Sequence, residues 1–151
     1  MARLPLMFRA VGAAVCAAVM ALCLFSYYRV TGSEVEHLAE VDGTCTVTVD
    51  RYSHLDYEHR ETVVLESVET EALKDLLLEE TFLRRFGRGG TVRFESDTMY
   101  DIYIDFNDGQ RLSISVIGNE YFSVTEQYSH LKIRDKEFPQ KLDAILADAG
   151  I

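Results

Sequence analysis

No aspartate or glutamate occurs in residues 1–32; all 25 acidic residues of the chain lie beyond them. Residues 10–28 carry no charge of either sign, and the run from Ala10 to Phe25 is almost wholly apolar. Cysteine is nearly as scarce. Cys16 and Cys23 fall inside the apolar run, which leaves Cys45 as the one thiol of the remainder and excludes an intradomain disulfide. Basic charge is short as well. Past Gly32 the chain holds 12 basic against 25 acidic residues, a net of −13. A nucleic-acid binder needs basic surface to displace counterions from phosphates, so that class is excluded. The same charge disfavours lying flat on an anionic bilayer.

The 19 uncharged residues from Ala10 to Tyr28 match the length of a spanning helix, about 17–25 residues. Arg3 and Arg9 outnumber Arg29 at the two ends, which keeps the N-terminus cytoplasmic and the remainder extracytoplasmic. Tyr27 and Tyr28 suit a membrane boundary. A cleaved signal peptide is the alternative, but it needs small residues before the cut. Ala21-Leu22-Cys23 lies inside the run, and Phe25-Ser26-Tyr27-Tyr28 is bulky. A lipoprotein cysteine fits badly after Leu22 or Val15. The expected organisation is an anchor or signal segment over 1–30, a polar tether over 31–42 and one domain over 43–151.

Within that domain, Thr44–Val49 alternates strictly and predicts a half-buried strand, with Cys45 in phase with Val47 and Val49 as a small buried hydrophobe. Glu61–Glu66 alternates likewise. Val68, Ala72, Leu73, Leu76 and Leu77 recur at helical spacing, with Ser67 or Thr70 as candidate cap. Strands are expected at Thr91–Glu95, Tyr100–Phe106, Arg111–Val116 and Tyr121–Thr125. A three-residue loop Asn107-Asp108-Gly109, with Gly109 left-handed, pairs Ile104 with Leu112, Ile102 with Ile114, Tyr100 with Val116 and Asp105 with Arg111. The same arithmetic across Ser96-Asp97-Thr98 pairs Phe94 with Tyr100, Val92 with Ile102 and Arg93 with Asp101. Thr125 is a candidate cap for a short turn holding Tyr128 and Leu131. Pro139 opens a last helix that Gly150 stops. The fold expected is α+β: a two-layer sandwich of five to six antiparallel strands in the order β-β-α-β-β-β-β-α, two helices on one face, plus an N-terminal transmembrane helix.

Catalytic signatures are missing: no HExxH helix, no G-x-S-x-G elbow, and no Walker spacing in Gly87-Arg88-Gly89-Gly90. No cofactor and no catalytic residue is expected. His54, Asp56 and His59 have the donor types of a zinc site, against the plainer reading of a solvated hairpin loop. Asp105–Gly109 fails the calcium-loop spacing, and a hairpin explains it. Arg84, Arg85 and Arg88 form a candidate patch for a carboxylate, a phosphate or an acidic partner, against a loop that neutralises nearby acids. The polar sheet face, with Asp101, Tyr103 and Asp105 at its centre, is a candidate surface for an extended partner, against an ordinary wet face.

In its layout and in the Ile117-Gly118-Asn119-Glu120-Tyr121-Phe122 turn, the chain resembles small bacterial cell-envelope proteins that join an N-terminal anchor to one β-rich α+β domain. The resemblance implies no activity. The function expected is non-enzymatic protein or peptide binding outside the cell. A metal-dependent hydrolase using the His54–Glu61 loop is one alternative, and an immunity or inhibitor protein meeting a basic partner through its acidic surface is another.

Overall fold

The computed structural model describes residues 6–53, 55–84, 98–118 and 120–151. Helix α1 runs Leu6–Tyr28 and leads directly into strand β1, Arg29–Thr31. Strands β2 (Thr46–Ser53) and β3 (Asp56–Leu65) form a hairpin, followed by α2 (Ser67–Glu79) and β4 (Thr81–Leu83). Strands β5 (Thr98–Asp105), β6 (Arg111–Ile117), β7 (Tyr121–Val124) and β8 (Tyr128–Ile133) make a meander, closed by α3 (Phe138–Ala149). The strands join one antiparallel sheet in the order β1-β4-β8-β7-β6-β5-β2-β3.

Among the described residues this is an α+β fold with eight antiparallel strands, where five to six were expected, and three helices: N-terminal α1 and the two domain helices α2 and α3. Two of the added strands, β1 and β4, are three residues long, too short to display a two-residue period. The third, β8, has a different cause. Between Phe122↔Leu131 and Val124↔Tyr128 the partner advances by three residues instead of two, and His130 sits at φ 55°. That β-bulge puts Tyr128 and Leu131 at a helical-looking spacing, which is why this stretch reads as a helical turn in the sequence.

The expected membrane-spanning helix is also overturned: among the described residues, no helix is long and apolar enough to cross a membrane. Residues 31–42, expected to be a tether, supply Val35, Leu38 and Val41 to the core.

The β5–β6 hairpin follows the expected register at every pair, from Asp105↔Arg111 to Tyr100↔Val116. Gly109 sits at φ 85°, and its N–H donates to the Phe106 carbonyl. Strands β2 and β6 occupy the two edges of β5, and the expected pairing of Val92 with Ile102 falls on residues 91–95, outside the described residues. One face of the sheet buries Val49, Ile102, Ile114 and Phe122 under Leu77 of α2 and Leu142 of α3. Alternation sends the intervening side chains to the other face.

Candidate functional site

The face away from the helices is built by β2, β5 and β6, flanked by β3. Their register sets Asp50 directly opposite Asp101, Thr48 opposite Tyr103, and Tyr103 opposite Ser113. Two like charges across a strand pair are unfavourable unless each is held. Here each is. Thr62 Oγ1 donates to Asp50 Oδ1 at 2.7 Å, and Arg60 Nη1 lies 3.5 Å from Asp50 Oδ2. Tyr52 OH donates to Asp101 Oδ2 at 2.7 Å, and Ser115 Oγ to Asp101 Oδ1 at 2.6 Å. The Arg60 guanidinium stands 4.7 Å over the Tyr52 ring, a cation–π contact that ties the two halves of the network together.

Tyr103 lies between these carboxylates and the Asp105–Arg111 pair. Partial burial pushes its phenol above the ordinary value of 10, and the charges of Asp101 and Asp50 push the same way, opposed by Arg60 and Arg111. At neutral pH it is an un-ionised hydrogen-bond donor. Arg111 grips Asp105 with its fork, Nε to Oδ1 at 2.6 Å and Nη2 to Oδ2 at 2.8 Å, and stands 5.6 Å from the Tyr103 ring. That fork holds the Asp105 carboxyl below its ordinary 3.8. A lowered folded-state value means stability that is present above pH 3.8 and lost as pH falls through the folded value. Asp105→Asn should therefore lower Tm slightly at neutral pH, and the gap from wild type should close in acid, as thermal melts across that range would read. The effect is small because the pair is exposed to solvent.

Of the expected metal ligands, His54 lies outside the described residues. Asp56 and His59 come together at the hairpin tip, His59 Nδ1 to Asp56 Oδ2 at 2.7 Å, with His59 85 % exposed. The hydrogen bond from His59 is the main cause of the lowered Asp56 carboxyl. His59 also lines a recess of about 330 Å³ with Arg51, Ser53 and Glu61. No group of three or more His, Cys, Asp or Glu is placed to hold a metal among the described residues.

The arginine patch is only partly visible. Arg85 and Arg88 lie outside the described residues. Arg84 is half-buried, its guanidinium 5.0 Å from the Tyr27 ring and 5.4 Å from that of Tyr128. Its backbone N–H donates to the Tyr28 carbonyl at 2.8 Å, so it fastens the end of α1 to the domain.

The chain matches no family model, no curated protein and no solved structure. Three of the site's members, Asp50, Tyr52 and Arg60, lie just beyond the strand ends that the sequence predicts at Val49 and Glu61, in strands that run on to Ser53 and start at Asp56. The signal was present: the alternation continues through Asp50 and Tyr52, and Arg60 is in phase with Thr62.

Proposed function

We propose that this domain is a non-enzymatic binding module that receives a protein or peptide with basic side chains on its polar sheet face. The observation that carries the reading is the network around Tyr103. Asp50, Asp101 and Asp105 are fixed by neighbouring donors, so the surface is organised before any partner arrives and loses little rotamer freedom on binding. Tyrosine presents a large, stiff contact with one polar end, the type of residue that anchors protein interfaces. The net charge of −13 beyond Gly32 favours a basic partner and speeds its approach. A basic toxin or enzyme held by an inhibitor would meet the same chemistry.

Affinity capture with the full-length chain tests the reading. Wild type should retain a defined basic partner, and high salt should weaken that capture. Tyr103→Ala should cut affinity about tenfold or more while leaving Tm nearly unchanged, as for a central interface aromatic. A partner held equally by wild type and Tyr103→Ala, and insensitive to salt, would overturn the proposal.

A further inference from the structure

The two edges of the sheet differ. Strand β1 closes one edge with three residues, short enough to guard itself. The other edge is β3, ten residues long and without proline. From Arg60 to Leu65 it pairs with β2 residue for residue, free of any bulge. No described strand pairs with its outer side.

The phase of the backbone hydrogen bonds shows which groups face outward. The Phe106 N–H donates to the Gln110 carbonyl at 3.0 Å, so even-numbered residues of β5 bond to β6 and odd-numbered ones to β2. The Thr125 N–H donates to the Ser113 carbonyl at 3.0 Å and sets the same phase from the side of β7. Through their backbones, Asp101 and Tyr103 therefore bond to Asp50 and Thr48, while Val49 and Arg51 bond to Val63 and Glu61. That leaves the N–H and C=O groups of Arg60, Thr62 and Val64 pointing off the sheet. All three residues are exposed, and Val64, an apolar side chain on the polar face, is 59 % exposed.

Charge decides what such an edge accepts. The bases of β3 are engaged within the chain, His59 with Asp56 and Arg60 with Asp50 and the Tyr52 ring. Glu58 and Glu61 on the strand and Glu66 just past it are exposed, Glu61 with a contact of 3.8 Å to Arg51. With a net charge of −13 beyond Gly32, a second copy is repelled and a basic segment attracted.

We propose that β3 receives an extended basic segment of a protein partner as an added strand, its main chain bonded to Arg60, Thr62 and Val64. In this mode main-chain bonds give affinity and alternate side chains give specificity. Partner side chains opposite Glu61 and Val63 fall on the helical side of the sheet, and those opposite Thr62 and Val64 fall over the polar face. A basic residue is favoured opposite Glu61 and an apolar one opposite Val64. The inference rests on the reading of this domain as a module for basic partners. Tyr103 lies two strands inward, on β5, so the two contacts can be lost separately.

The test titrates the full-length chain with an acetylated, amidated heptapeptide that alternates lysine and valine, read by amide NMR and hydrogen exchange. Bound peptide should slow exchange at Arg60, Thr62 and Val64 by about tenfold or more, while Glu61 and Val63, already bonded to β2, change little. Val64→Pro removes an outward donor without touching the β2 ladder and should weaken binding about tenfold or more. If that variant fails to fold, Glu61→Lys should still weaken binding about threefold. The proposal is overturned if the alternating protection is absent, if neither variant binds more weakly, or if a heptapeptide alternating glutamate and valine binds equally well. Protection of the same amides at high protein concentration without peptide would also overturn it, making the edge a self-association surface. A heptapeptide that shifts Tyr103 and leaves the edge amides fast-exchanging would reject the edge and keep the polar face. Protected edge amides, with partner capture insensitive to Tyr103→Ala, would do the reverse.

Discussion

Gly32→Ala is expected to cost about 3 kcal/mol or more, a large share of the roughly 5–15 kcal/mol that holds a domain of this kind together. A Cβ added at Gly32 would stand 1.8 Å from the Leu77 carbonyl oxygen, 2.6 Å from its carbon and 2.7 Å from the Leu78 Cα. All three are backbone atoms of α2, so no rotamer change makes room. The Gly32 N–H also donates to the Glu80 carbonyl at 3.1 Å, which pins the chain against the end of that helix. An alanine must push the segment after β1 away from α2, and Val30, Val35 and Leu38 leave the core with it. Urea and thermal unfolding of the full chain should show Tm lower by about 10 °C. Gly12→Ala, where nothing lies within 4 Å of the added carbon, is the matched control and should be nearly neutral. An unchanged Tm in Gly32→Ala would mean that residues 31–42 are not packed against α2.

The same segment shows where sequence reading stops. Val35, Leu38 and Val41 are spaced at threes among acidic residues, and that stretch folds as two short 3₁₀ turns, Gly32–Glu34 and Leu38–Glu40, with no longer period to find. Its burial depends on contact with α2, some forty residues later in sequence, which local pattern does not encode. The β5–β6 hairpin lies at the other extreme. There the period-two alternation and one left-handed glycine decide every pair, and the register follows from arithmetic alone. The candidate surface falls between. Tyr103, Asp101 and Asp105 are readable as one strand face, and so is the opposition of Asp105 and Arg111. The contact of Asp50 with Asp101 requires knowing that β2 lies beside β5, a pairing between strands about fifty residues apart. Arg93, expected opposite Asp101, lies outside the described residues; among those described, Tyr52 and Ser115 hold the carboxylate.

Phe122→Ala is expected to cost about 4 kcal/mol, within the range for deleting a fully buried aromatic. Phe122 and Phe82 are both completely buried, and their rings stack with centroids 4.0 Å apart and planes 15° apart. They come from strands that flank β8 on either side, Phe122 opposite Leu131 and Phe82 opposite Ile133, so the rings meet over β8. Three-residue β4 has few backbone bonds of its own, and the burial of Phe82 is the main force holding it in the sheet. Phe82→Ala should therefore cost a similar amount, and the double variant should cost less than the sum by about 1 kcal/mol, the part that belongs to the ring pair. Additive losses in that cycle would reject the stack as a source of stability. The consequences reach further than the core. Strand β1 pairs with β4, and the Arg84 N–H just after β4 holds the Tyr28 carbonyl at the end of α1. Loosening β4 must then release the β1 edge and the root of α1 together. Hydrogen exchange should rise at Val30, Phe82 and Arg84 in Phe82→Ala, ahead of any change at Ile102 or Ile114, whose strands are held by neighbours on both sides.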